Sequence, residues 1–174
     1  TFGARFKFSK ALNLIDKTDS AITSNITRVS MRRDLRPALN DSATYELCYG
    51  NAFNVNSLNG YNIKSSGFTV SGISGTVYLS DIPNADRKSG RVILFKLLAS
   101  NQVAIIRNNI GTIDYTKGEI LLNALIINST TIAGDQPTIQ ISGTPKSYDV
   151  IGLQDLYLQL DNSNSLVTMV SDTI

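Results

Sequence analysis

Short apolar runs, many with period-two alternation, are separated by glycine at close intervals from residue 60 onward. Such spacing is typical of β-strands joined by tight turns. Asp81–Gly90 is rich in charged and turn-forming residues and predicts an exposed loop. The runs predict nine strands, at Phe68–Val70, Thr76–Ser80, Val92–Leu98, Val103–Arg107, Thr112–Tyr115, Glu119–Ile127, Thr138–Ser142, Leu156–Asp161 and Leu166–Val170. The last two flank a turn sequence, and therefore predict a final hairpin.

The first segment of the chain has a different period. Phe8, Leu12 and Ile15 recur at helical spacing, and Lys10–Lys17 contains neither glycine nor proline. Ser9 stands where a hydroxyl can accept the first free N–H groups of a helix. One short helix is therefore predicted near the start of the chain.

After this helix the period changes from helical to two. Apolar residues from Ile22 to Met31 lead into a strand that ends at Pro37, and a second strand follows at Thr44–Phe53. The sequence predicts an α+β fold of mostly antiparallel sheet with a short N-terminal helix. It also predicts a small helix-strand-strand subdomain over residues 1–54 and a β-rich domain over residues 55–174, as a fragment of a longer protein.

The most distinctive turn lies between Ile113 and Ile120. Gly118 follows the alternating strand, where a left-handed residue closes a tight turn without the clash of a Cβ atom. The carboxylate of Asp114 is placed to accept backbone N–H groups across that turn. Asp114 and Gly118 are therefore predicted to be structural turn residues.

Composition supports sheet and ordered loops over helix. Charged residues make up 17% of the chain and hydrophobic residues 42%, with 16 Asn, 19 Ser and 15 Thr. These short polar side chains compete with helical hydrogen bonds, and threonine also fits a pleated sheet. The apolar fraction is too high for a disordered chain.

The residues offer little catalytic chemistry. The chain has no histidine, which excludes histidine-based nucleophile systems and the commonest metal sites. Asp114 and Glu119 flank one turn as a conceivable acid pair, but a turn carboxylate and an exposed strand residue are the simpler interpretation. The single Cys48 lies in an apolar run and is predicted to be a buried, inert thiol. No catalytic residue, cofactor or metal ligand is predicted.

Charge is unevenly distributed although the net charge is only +2. The segment from Tyr148 to Ile174 has four aspartates and no lysine or arginine. A cluster of arginines lies in the first fifty residues. It lacks the interleaved aromatic residues that a binding site for single-stranded nucleic acid requires. A solvated edge strand protected by charge is the simpler explanation, and a salt-bridged subunit contact is the second. The candidate interface residues are Arg28, Arg32, Arg33, Arg36, Asp149 and Asp155.

Several segments, in this order, carry a resemblance to a known family. They are Phe8-Ser9-Lys10 before Ile22–Met31, Tyr45–Asn51, Gly60-Tyr61-Asn62 with Ser65–Phe68, Ile110–Tyr115 with Gly118-Glu119-Ile120, and Tyr148–Val150. Together they resemble the C-terminal part of the large baseplate wedge subunit of T-even-type contractile-tailed phages, related to the baseplate J-like family.

The resemblance implies a mechanical role and no catalytic residues. Wedge subunits of this kind join neighbouring wedges into a ring in the virion tail baseplate, which is assembled in the host cytoplasm. The implied partners are other copies of the chain, as a homodimer contact in the ring, and neighbouring wedge proteins, including the small lysozyme-like and sheath-initiating subunits. Nucleic acid, membrane and small-molecule substrates are not expected. The alternative function is a carbohydrate-binding or host-adhesion β domain of a phage tail.

Overall fold

A computed structural model describes residues 5–55, 61–99, 102–158 and 165–169. Within these ranges there are one helix, α1 (Phe8–Asp16), and eleven strands. The strands are β1 (Arg5–Phe6), β2 (Met31–Leu35), β3 (Ser42–Cys48), β4 (Lys64–Ser65), β5 (Phe68–Val70), β6 (Tyr78–Pro83), β7 (Ser89–Leu97), β8 (Val103–Asp114), β9 (Glu119–Thr130), β10 (Ile139–Gly143) and β11 (Val150–Ile151). The predicted fold class is confirmed: the chain is mostly antiparallel sheet with one short helix near its N-terminus.

Three sheets share these strands. The largest has the order β3-β9-β8-β7-β6, with β5 added on β9, and a second has the order β2-β10-β4. The third consists of β1 and β11 alone. All the pairings between these strands are antiparallel.

One apolar core joins the two larger sheets. Met31 and Ile141 come from the β2-β10-β4 sheet, and Leu94 and Ile120 from the large sheet, and all four are buried in the same cluster. Tyr49 lies among them, and its hydroxyl donates to the Ile141 carbonyl oxygen at 2.7 Å. The apolar alternation along β9 and β10 explains this arrangement, because each sheet turns its apolar face toward the other.

Strand β8 leaves its neighbour β9 partway along. Near the turn, Gly111–Asp114 pair with Glu119–Leu122. Toward its start, β8 pairs with β7, and no other described strand pairs with it there. The register of this pairing shifts between Val92 and Leu94 and again between Leu94 and Phe95. Such bulges bend a strand and increase its twist. The end of β7 and the start of β8 therefore separate from β9 and form a projection. Among the described residues, β6 pairs with β7 only as far as Phe95, so the last part of this projection is two-stranded.

The first and last strands of the described chain meet beside α1. Strands β1 and β11 pair, with Arg5 opposite Ile151. The Asp149 carboxylate accepts the Phe8 N–H at 2.9 Å, and the Phe8 and Tyr148 rings pack edge to face with centroids 4.8 Å apart. The predicted capping role of Ser9 is wrong, because Ser9 lies inside the helix and a carboxylate distant in sequence binds the N-terminus instead.

Several predicted strands need correction. Residues 22–30 form no strand, and the predicted strand is reduced to Met31–Leu35. The two runs at Val103–Arg107 and Thr112–Tyr115 are one continuous strand, because the bulges accommodate the polar residues between them. In the predicted final hairpin, residues 159–164 and 170 lie outside the described residues. The described residues 156–158 and 165–169 carry only one isolated bridge, from Tyr157 to Arg32.

The predicted loop at Asp81–Gly90 is also wrong in part. Strand β6 continues to Pro83 and β7 already begins at Ser89, so the connection is a short turn. The proposed division of the chain after residue 54 stays a prediction. Strands β2 and β3 from the front segment pair with β10 and β9 from the rest of the chain.

The turn between β8 and β9 is packed against the segment that follows β3. Gly118 has φ +73°, and a Cβ atom there would lie 2.0 Å from the Asn51 carbonyl oxygen. The Gly118 carbonyl accepts the Tyr49 N–H at 2.8 Å. Gly118 thus combines a left-handed conformation with a close backbone contact that leaves no room for a side chain.

We expect Gly118→Ala to destabilise the fold much more than Gly72→Ala. Gly72 has almost the same φ, +77°, but no atom lies within 4 Å of the position that a Cβ atom would occupy there. The control therefore carries only the left-handed penalty of about 1–2 kcal/mol, while Gly118→Ala adds an overpacking cost of about 1–3 kcal/mol. Chemical denaturation of both variants measures the difference. Equal free energies of unfolding would show that the contact with Asn51 is unimportant.

Candidate interaction surface

The most unusual buried polar group is Asp81, in the middle of β6. It is only 1% exposed although it is a carboxylate. Its Oδ2 atom accepts the Tyr115 hydroxyl at 2.6 Å, and its Oδ1 atom accepts the Ile63 N–H at 2.7 Å. The next residue back, Ser80, donates to the Ile63 carbonyl oxygen at 2.9 Å. Strand β6 is thereby fastened to the β8–β9 turn and to the segment before β4.

Burial governs the acidity of this pair. Desolvation raises the pKa of Asp81, while the hydrogen bonds from Tyr115 and from backbone N–H groups oppose that rise. Desolvation also raises the pKa of the Tyr115 phenol, and its bond to the carboxylate adds to the rise. Both carboxylate oxygens are engaged by internal donors, so the arrangement holds elements together and has no group directed at a substrate. Among the described residues, no three metal-ligating side chains cluster.

Arg32 is engaged within the chain. Its Nε atom lies 3.0 Å from Oδ1 of Asp34, and its guanidinium carbon lies 4.8 Å from the centroid of the Tyr157 ring. The backbones of Arg32 and Tyr157 also exchange two hydrogen bonds. The residue therefore attaches the segment after β11 to the edge of β2.

Arg33 also has an internal partner. It donates to the Cys48 carbonyl oxygen at the end of β3, and so connects β2 to that strand. Beside this contact is a shallow cavity with charged residues of both signs in its wall. These charged residues are Arg33, Asp34, Arg36, Glu46 and Asp155.

The remaining candidate residues divide into exposed and engaged groups. Arg28, Arg36 and Asp155 are exposed. Arg33, Arg36 and Asp155 line the same cavity, so the structure brings three of the candidates together within one chain. Asp149 is half-buried and occupied by the Phe8 N–H, at a different place in the fold. The exposed members are therefore the ones accessible to a second subunit.

Asp114 binds the turn that follows it. Its Oδ1 atom accepts the N–H groups of Thr116 and Lys117 at 2.9 and 3.0 Å, and the Thr116 hydroxyl at 2.7 Å. These bonds, the one from the Thr116 hydroxyl first, lower the pKa of the exposed carboxylate. Glu119 lies within 3.8 Å of the Lys117 ammonium group. Each carboxylate thus has its own local partner.

Cys48 is half-buried, and the prediction of a fully buried thiol is wrong in that respect. Its Sγ atom lies 3.5 Å from a Glu46 carboxylate oxygen. Burial raises the pKa of the thiol, and the hydrogen bond and negative charge of Glu46 raise it further. A thiol with a raised pKa is a weak nucleophile at neutral pH.

Sequence reasoning missed a group of exposed apolar side chains. They lie on the projecting ends of β7 and β8 and close to the C-terminus, and include Leu97, Leu98, Val103, Ile105, Leu166, Val167 and Met169. Their runs look like ordinary core strands. The bend in β8 exposes those on β7 and β8, and Leu166–Met169 belongs to no helix or strand. Leu97 and Val103 lie opposite one another on β7 and β8, and exposed apolar side chains that lie together are typical of a protein contact.

Comparison with known proteins finds a family that matches the first part of the chain. Residues 1–34 match the family described as baseplate structural protein gp6, C-terminal domain III. No curated protein matches the chain. The matched part contains β1, α1, the approach to β2 with Arg28, and most of β2 itself with Arg32 and Arg33. The match supports a structural protein of a phage baseplate. Across the described residues, no helix is long and apolar enough to span a membrane.

We expect Asp81→Asn to change how stability depends on pH. Because the folded protein raises the Asp81 pKa, the stabilisation from this group is fully present below its unfolded pKa, about 4, and is lost as the pH rises through the folded value. The free energy of unfolding of the wild type relative to Asp81→Asn should therefore fall as the pH rises from about 4. Denaturation at a series of pH values measures it.

Asp86 provides the matched control for this pH series. Hydrogen bonds from the Lys88 and Ser89 N–H groups lower its pKa. Its stabilisation is present above the unfolded pKa and is lost as the pH falls through the folded value. The free energy of unfolding of the wild type relative to Asp86→Asn should therefore rise with pH, and only in the acidic range. Parallel slopes for the two variants would contradict the assignment for Asp81.

Proposed function

We propose that this chain is a structural subunit of a phage tail baseplate, located in the virion, and that it acts by associating with other copies of itself and with neighbouring wedge proteins. The observation that carries the proposal is the match of residues 1–34 to a baseplate structural domain. That match covers β1, α1 and most of β2. Of these, β1 pairs with β11, and the N-terminus of α1 is bound by Asp149.

The side chains support a mechanical role over a catalytic one. The sequence has no histidine, and the buried carboxylate Asp81 is occupied by donors from two other segments. Arg32 and Arg33 are likewise occupied, by Tyr157 and by the Cys48 carbonyl oxygen, in contacts that hold β2 in place. Such long-range polar contacts stiffen a domain and suit a subunit that bears load between neighbours.

The exposed basic residues beside β2 are the proposed contact with a neighbouring subunit. Arg28 and Arg36 flank β2 and are both exposed. An acidic surface on the partner, such as the one around Asp155 of a second copy, would complement them. Exposed charges of this kind contribute roughly 0–1 kcal/mol each to folding, but they steer association and fix its register.

We expect the 174-residue chain to self-associate as a dimer in a concentration-dependent manner. The family resemblance and the exposed apolar surface both favour contact between identical subunits. Multi-angle light scattering over a concentration series gives the mass. A monomer at high micromolar concentration and low salt would contradict this part of the proposal.

We expect Arg28→Ser with Arg36→Ser to weaken association several-fold at low salt while the melting temperature stays unchanged. The matched control is Lys64→Ser with Lys146→Ser, which removes two exposed cations elsewhere on the molecule. Salt screens the contact, so the difference between the two double variants should shrink at high ionic strength. Identical association of both at low salt would exclude the arginine surface.

A further inference from the structure

The projecting ends of β7 and β8 form an apolar arm with an unpaired edge. The arm consists of Phe95–Leu98 and Val103–Arg107, which pair so that Leu97 lies opposite Val103. Val103 and Ile105 remain 50% and 45% exposed. On its other side, β9 pairs only with Gly111–Asp114 of β8, so within the described residues no strand covers Val103–Arg107. An unpaired edge with exposed apolar side chains is a template for a further strand.

A second segment of the chain has the complementary feature. Leu166–Met169, here called the C-terminal apolar segment, belongs to no helix or strand. The Leu166, Val167 and Met169 side chains are 86%, 92% and 94% exposed. Valine and threonine favour a pleated strand, and the exposure of large apolar side chains to water is unfavourable. The segment therefore has the composition of a strand but lies outside the three sheets.

The charges of the two regions are opposite. From Arg87 to Ile113 the sequence has five lysines and arginines and no acid, and Arg91, Lys96 and Arg107 lie on β7 and β8. From Tyr148 to Ile174 it has four aspartates and no cation. Opposite charges would draw the two regions together and disfavour contact between two arms.

We propose that the C-terminal apolar segment of one copy adds as a strand to the edge of β8 at Val103–Arg107 in a second copy. Backbone hydrogen bonds would supply the pairing, and the apolar side chains on both faces of the arm would receive Leu166, Val167 and Met169. Exchange in both directions closes a symmetric dimer in which each chain covers one arm of the other. This inference rests on the self-association in the proposed function and assigns to it a second surface, separate from Arg28 and Arg36.

The first test replaces only exposed side chains, so the monomer fold is retained. Leu166→Ser with Val167→Ser should raise the dissociation constant of self-association at least ten-fold with no change in melting temperature. The matched control is Leu14→Ser with Ile26→Ser, which also removes two exposed apolar side chains, 71% and 90% exposed, outside both regions. Equal association of the two double variants would overturn the inference.

The second test locates the contact by cross-linking. In a Cys48→Ser background, Ala104→Cys and Thr168→Cys are made as separate proteins, mixed and oxidised. A disulfide between them must join two molecules and requires Cα atoms within about 7 Å. Lys146→Cys mixed with Thr168→Cys is the control. The Lys146 N–H binds the Ala52 carbonyl oxygen, close to the end of β8, whereas Ala104 lies at the start of that strand.

The outcomes separate this inference from the broader proposal. A mixed disulfide from Ala104→Cys and Thr168→Cys that exceeds the Lys146 control supports strand addition between copies. A dominant disulfide between two Ala104→Cys chains would overturn it in favour of edge-to-edge pairing of arms. If the wild type self-associates but neither the serine variant nor the mixed disulfide behaves as expected, the inference fails and the proposed function stands. A wild type that stays monomeric overturns both.

Discussion

The fold depends on the way β9 is shared. Its first residues pair with β8, much of its length pairs with β3, and its end pairs with β5. One strand therefore sets the register of segments that are far apart in sequence. A slip of one residue at its start would turn every buried side chain of β9 toward water. The turn at Asp114–Gly118, with its left-handed glycine and three bonds to one carboxylate oxygen, prevents that slip.

The same sharing produces the arm. One edge of β9 pairs with β3 over much of its length. The other edge pairs with β8 near the start of β9 and with β5 near its end. The bulges near Asn108 bend β8 away, and Gly111 permits the final close approach, because a Cβ atom there would lie 2.1 Å from the Leu121 carbonyl oxygen. The surface that we assign to association is thus a consequence of how the core is built.

Polar contacts between distant segments complete the domain. Asp81 connects β6 to Ile63 and Tyr115, and Asp149 binds the N-terminus of α1 across nearly the whole sequence. Each carboxylate accepts hydrogen bonds from donors that would otherwise be unpaired, and these bonds break if the partner segment moves. These contacts join β6 to the core and the segment before β11 to the N-terminus of α1.

The sequence by itself determined what depends on neighbouring residues. Period-two alternation indicated the sheet class, and Phe68–Val70 was located to the residue because glycines stand on both sides of it. The turn chemistry of Asp114 and Gly118 is also local. Tertiary structure alone decided where side chains distant in sequence meet. Ser9 satisfies the local rule for a helix cap, yet Asp149 binds there, and Asp81 lies in a loop-like sequence but is buried by Tyr115. Burial and hydrogen-bond partners come from segments far along the chain, and local periodicity carries no information about them.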